Sequence, residues 1–160
     1  MSKSELVKQV IAALKNDLDL AVQASSAARE AATDAQAKAE HKYDTRGLEQ
    51  SYLADGQSRR ASELIESIAL LESMPIQSYR SHEPIGISAV VELESEEGEI
   101  QRFFLIPRKG GIKVKWKRLD CITLSIDSPL GERLLSKSLG DSIEVKVKAK
   151  TTIYTIVSLE

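Results

Sequence analysis

The sequence predicts an α+β protein: an N-terminal antiparallel coiled-coil helical hairpin, then a C-terminal antiparallel β domain with one short helix. Composition changes near residue 75. No proline precedes Pro75, and only Gly47 and Gly56 among the glycines do. Four prolines, counting Pro75, and six glycines follow. Apolar residues recur at helical spacing before the change and alternate after it. The two helical stretches are separated by a short polar reversal, His41–Glu49. These features divide the chain into a hairpin over 1–75, a linker over 76–84 and a β domain over 85–160.

The first helix is expected from about Ser4 to Tyr43, capped by Ser2 or Ser4 with Glu5 favourably placed in its first turn. Val7, Ile11, Leu14, Leu18, Ala21, Ser25, Ala28, Ala32, Ala35 and Ala39 step by four and three, which is a coiled-coil seam. At about 1.5 Å per residue, forty helical residues reach roughly 60 Å, so the helix projects beyond a globular body.

The second helix is expected from about Leu48 to Met74. Its seam reads Ala54, Gln57, Ala61, Leu64, Ile68 and Leu71. Small residues come first and large ones last, the reverse of the first helix. Antiparallel pairing then sets alanine against alanine at the tip and large aliphatics against each other at the base. Gly56 costs about 1 kcal/mol inside a helix, and close approach of the helices there would offset it. Arg29, Lys38, Arg59 and Arg60 fall off the seam. In the reversal, Gly47 is the expected hinge, and Asp44 and Thr45 can cap the second helix.

The rest reads as strands. Ile87, Ala89, Val91 and Leu93 alternate with polar residues, except at Val90, and Ser95–Gly98 is a turn. Strands follow through Arg102–Ile106, Ile112–Trp116, Cys121–Ser125, Ile143–Val147 and Thr152–Leu159, with turns at Gly110-Gly111 and Gly140-Asp141. Ser128-Pro129 opens a short helix that includes Leu134-Leu135. Phe103, Phe104, Trp116 and Tyr154 are expected in the core.

Composition narrows the function classes. Net charge is -2, so bulk attraction to nucleic acid or membrane is not indicated. A single cysteine, Cys121, excludes an internal disulfide and sits in an apolar run. The N-terminal stretch has no apolar run long enough for a signal peptide or membrane span, so a cytoplasmic protein without membrane contact is expected. His41 and His82 lack metal-ligand companions.

Ser128-Pro129-Leu130-Gly131, Leu134-Leu135, Lys137, Gly140-Asp141, Ile143 and Val145, and the closing Tyr154-Thr155-Ile156 together resemble the C-terminal domain of the GreA/GreB transcription elongation factors. The preceding alanine-rich hairpin fits the same family. The resemblance implies an FKBP-like C-terminal fold. Isomerase activity does not follow, because the aromatics such a pocket needs are those assigned to the core. The resemblance also implies a protein that is no enzyme itself and is monomeric. It would dock on bacterial RNA polymerase, insert the hairpin tip into the secondary channel, and touch nascent RNA and DNA only indirectly. Acidic tip residues would share a Mg²⁺ with the polymerase active site, with no cofactor bound by the factor alone, so that the polymerase cleaves backtracked RNA.

Family tips commonly read Asp-x-Arg-Glu-Asn, and this chain has Asp44-Thr45-Arg46-Gly47-Leu48. Asp44 and Arg46 match; Gly47 replaces the second acid, and Glu49 is the nearest substitute. The resemblance thus makes Asp44 and Glu49 the candidate metal-binding acids, and Lys42, Tyr43, Arg46, Arg59 and Arg60 the candidate channel contacts. A second departure is the basic run of Arg108, Lys109, Lys113, Lys115, Lys117 and Arg118 around Trp116. It reads either as a nucleic-acid contact or as an edge strand protected by lysines. Three functions stay open: a cleavage-stimulating factor, a polymerase channel binder without cleavage, and a coiled-coil adaptor with no polymerase role.

Overall fold

The computed structural model describes the backbone of residues 1–38 and 46–160, and side chains of residues 1–31 and 55–160. The architecture is the expected α+β one. Helix α1 spans Lys3–Lys38 and α2 spans Arg46–Glu72; a six-stranded sheet and a short helix follow. The strands are β1 (Val90–Ser95), β2 (Ile100–Ile106), β3 (Lys113–Trp116), β4 (Leu119–Ser125), β5 (Ser142–Val147) and β6 (Lys150–Leu159), with α3 (Pro129–Leu134) between β4 and β5. Two compact units emerge: Ile11–Ala69, and Met1–Val10 together with Leu70–Glu160.

In the helical unit, Leu14, Ala21, Ala28, Leu64 and Ile68 are buried along the expected seam, while Ile11 and Leu18 are half-buried. The helices run antiparallel. Ser25 Oγ meets Ser58 Oγ at 3.0 Å, and toward the N-terminus of α1 its Ala21 shares a groove with Gln57 and Arg60. Ala21, Ser25 and Ala28 supply the small side chains that let the helices approach closely, and large aliphatics take over toward the base. Two details differ from expectation. A Cβ on Gly56 would meet nothing within 4 Å, so close approach does not explain that glycine. Helix α2 begins at Arg46, which puts Gly47 in its first turn and not at a hinge. The proposed caps Asp44 and Thr45 lie outside the described residues.

The strand order is β3-β4-β2-β1-β6-β5. The sheet is expected to be antiparallel, and β1/β2, β1/β6, β3/β4 and β5/β6 are, but β2 and β4 run parallel. The reason is the route of the chain. After β2 it moves outward to form β3, then turns back at Lys117-Arg118, so β4 enters beside β2 in the same direction. One face of the sheet gathers Ala89, Val91, Leu93, Phe103, Leu105, Ile143 and Ile156 under Leu134 of α3. Val90, Phe104, Ile106, Val114, Trp116 and Cys121 are buried as well. Alternation along each strand turns Val90, Phe104 and Ile106 to the opposite face from Val91 and Phe103. The first turns of α1 lie alongside the edge strand β3: Leu6 and Val10 are fully buried, and Gln9 bonds to the Lys115 backbone. Ile87 falls outside β1, because Ser88 takes a left-handed φ of 67° just before the strand.

Candidate functional surfaces

The Ser128–Gly131 turn is built by its residue types. Ser128 caps α3, its Oγ accepting from Gly131 N at 3.0 Å, and Pro129 opens the helix with φ preset and no orphan N–H. Gly131 is buried against the backbone of Ser125 and Ile126, where a side chain has no room. Leu134 then plugs the sheet. Ile85 clasps the end of the helix, donating to Lys137 O at 2.7 Å and accepting from Ser136 N at 3.0 Å. At the next turn Gly140 has a φ of 90°, and Asp141 Oδ2 accepts from Ser138 N at 2.8 Å. The motif is thus a structural latch that closes α3 onto the sheet.

The segment 76–84 is tied to the β domain. Gln77 N donates to Ser88 Oγ at 2.9 Å and Tyr79 Oη to Ile87 O at 2.6 Å. Lys3 donates to Gln77 O at 2.5 Å and Glu160 O at 2.7 Å, and stands 4.9 Å from the Tyr79 ring centroid. Burial holds its ammonium down to a pKa of about 8, against the opposing pull of Glu160. A cavity of about 470 Å³ lies beside it, lined in part by Tyr79, Trp116 and Glu160.

The basic run is an edge strand, since β3 ends the sheet. Trp116 is only 4% exposed, so its ring offers no platform for a base. Its Nε1 donates to Glu160 Oε1 at 3.4 Å. Lys115 pairs with Asp120 and Lys117 with Glu160. The bond and charge of Lys115 hold the Asp120 carboxyl below its usual range. Burial pushes Glu160 up, but the bonds from Lys117 and Trp116 outweigh it and the net shift is downward. Lys113 is exposed, and Lys109, Lys117 and Arg118 take positive φ in the turns that flank β3. Arg108 is also exposed.

On the hairpin, Arg59 and Arg60 are exposed as expected for residues off the seam. Arg29 turns back to donate to Ser58 Oγ at 3.1 Å. Lys42, Tyr43 and Asp44 lie outside the described residues. Arg46 and Glu49 fall in the first turns of α2, their side chains outside those described. Among the described residues, no group of three or more His, Cys, Asp or Glu is placed to hold a metal, and no helix is long and apolar enough to cross a membrane. Sequence reasoning missed Gln9 and Lys3 as anchors of α1. The available signal was the breadth of the apolar stripe at Leu6, Val7 and Val10, which exceeds a coiled-coil seam and requires a second packing partner.

The chain thus combines a pair of antiparallel helices with a small-residue seam and a six-stranded β domain latched by α3. The sequence model for the C-terminal part of the GreA/GreB transcription elongation factors matches residues 80–160, just over half of the chain. The chain belongs to the GreA/GreB family. It is 33% identical over 101 residues to the transcription elongation factor GreA of Sinorhizobium medicae (strain WSM419) and, equally, to that of Rhizobium meliloti (strain 1021). Each match covers 63% of this chain and 60% of the relative's length. Among solved structures, GreA factor homolog 1 of Thermus thermophilus aligns over 94% of both chains at 21% identity with a TM-score of 0.39. A GreA/GreB factor from Nitrosomonas europaea aligns over 65% of this chain and 78% of its own at 20% identity with a TM-score of 0.38. The family assignment rests on the sequence matches and not on these superpositions.

Proposed function

We propose that this protein binds bacterial RNA polymerase as an elongation factor, with its β domain on the rim and the hairpin tip in the secondary channel. The observation that carries the reading is the family match over residues 80–160, joined to a hairpin whose seam at Ala21, Ser25 and Ala28 keeps it slender. A thin rod is what entry into a narrow channel requires. Asp44 and Glu49 are the acids available to share a Mg²⁺ with the polymerase. Mg²⁺ is commonly held by one or two carboxylates plus water and phosphate oxygens, and a second metal activates the attacking water. The polymerase does the cleaving; this chain supplies carboxylates. Lys42, Tyr43, Arg46, Arg59 and Arg60 are the proposed channel contacts. The protein works as a monomer in the cytoplasm.

A second reading has its own support. Gly47 stands where the family pattern has an acid, and glycine carries no metal ligand. A channel binder that modulates transcription without cleavage fits that tip. Halted, backtracked elongation complexes separate the readings. RNA that shortens on adding the protein, but not on adding Asp44→Asn, establishes cleavage stimulation. Binding without shortening establishes the second reading. Failure to bind polymerase would refute both and leave a coiled-coil adaptor.

A further inference from the structure

An outermost strand presents unpaired N–H and C=O groups to any second chain that approaches. The two-residue turn at Lys117-Arg118 pairs Trp116 with Leu119, and beyond that pair alternate residues direct their backbone groups out of the sheet. Lys115 is such a residue. Gln9 of α1 meets it at both groups: Gln9 Nε2 donates to Lys115 O at 2.9 Å, and Lys115 N donates to Gln9 Oε1 at 2.9 Å. A side-chain carboxamide carries the same donor and acceptor as a peptide unit, so Gln9 stands in for one residue of an added strand. Two residues on, Lys117 N faces Met1 Sδ at 3.0 Å. On the opposite edge a single carbonyl is covered, where Arg133 Nη1 of α3 donates to Glu144 O of β5 at 2.7 Å.

We propose that Gln9 is an edge lock that keeps β3 from accepting a strand from a second copy of this chain. Lysines alone are a weak guard here. Lys115 pairs with Asp120 and Lys117 with Glu160, which partly offsets the charge that would repel another copy. On the adjoining β4, Leu119 is 52% and Ile122 36% exposed, so an arriving strand would find apolar surface beside the edge. Lys113 keeps an exposed charge farther along the strand, but at Lys115 the charge is partly offset, and occupation of its outward backbone groups is the more specific block. The proposal is independent of any polymerase role.

The test compares the full chain with Gln9→Ala by amide hydrogen exchange and sedimentation velocity. In dilute Gln9→Ala, exchange at the Lys115 amide is expected to rise about tenfold, the factor that corresponds to one hydrogen bond of ordinary strength. Val114 and Trp116, paired to β4, should be unaffected. With increasing concentration the variant should self-associate while the wild type does not, and Lys115 protection should return as it assembles. Gln9→Met keeps the length of the side chain but has neither the amide donor nor the amide acceptor, so the Lys115 amide should exchange in it as fast as in Gln9→Ala, and it is the variant to follow should Gln9→Ala loosen the whole sheet. Unchanged Lys115 exchange, a variant that sediments as the wild type at every concentration, or assembly that leaves Lys115 unprotected would each overturn the proposal.

Discussion

Gly131→Ala sets a local rule against a tertiary one. Inside a helix, alanine is favoured over glycine by about 1 kcal/mol, so propensity alone predicts a more stable protein. The packing predicts the opposite. A Cβ on Gly131 would lie 2.0 Å from Ser125 O and 3.0 Å from Ile126 Cα, where ordinary contact is about 3.5 Å. The obstructing carbonyl is pinned, since it accepts Ser128 N at 3.1 Å and Ser128 Oγ at 2.6 Å. Ser125 itself is held in β4 opposite Ile106. Overpacking costs about 1–3 kcal/mol, and a clash with fixed backbone belongs at the upper end. Subtracting the propensity gain leaves a net loss of about 2 kcal/mol. For a unit of this size that lowers the thermal midpoint by about 8–16 °C. Trp116, the single tryptophan, is buried in the same unit, so its fluorescence reports that unit's unfolding. A midpoint unchanged or raised in Gly131→Ala would refute the argument that α3 is latched by close approach.

Two further outcomes follow from the buried titratable groups. Lys3 has its pKa lowered by burial from 10.5 to about 8, so between those values the unfolded chain binds the extra proton and stability climbs as pH rises. The neutral amine still has two N–H groups for the two carbonyls it meets. Urea midpoints should therefore rise from about pH 8 toward 10 in the wild type relative to Lys3→Met, and parallel curves would contradict the assignment. The comparison stops there because Tyr79, its pKa raised by burial and then by Glu83, loses stability above its ordinary value of 10.0. Cys121 is 1% exposed with its thiol pushed up to about 12 by burial, so thiol reagents should label it only on unfolding. Labelling of the native chain at the rate of a free thiol would contradict that burial.

Local pattern determined much of this protein. The steps of four and three in α1, the opposed size gradients of the two helices, and the Ser-Pro-Leu-Gly turn are each written within a few tens of residues. They specify helix, pairing direction and latch, because backbone geometry and side-chain volume act at that range. Ser128 as cap and Leu134 as plug were legible for the same reason. What the sequence did not disclose depends on residues far apart along the chain. Nothing in Gln9 announces that it bonds to Lys115, 106 positions away. The parallel β2/β4 pair, the second buried face at Val90 and Phe104, and the partial neutralisation of the basic edge are of the same kind. Periodicity records which face of an element is apolar, but not what arrives to cover it. That choice was made by the tertiary structure, where satisfying buried backbone groups and excluding water from both faces of one sheet had to be achieved together.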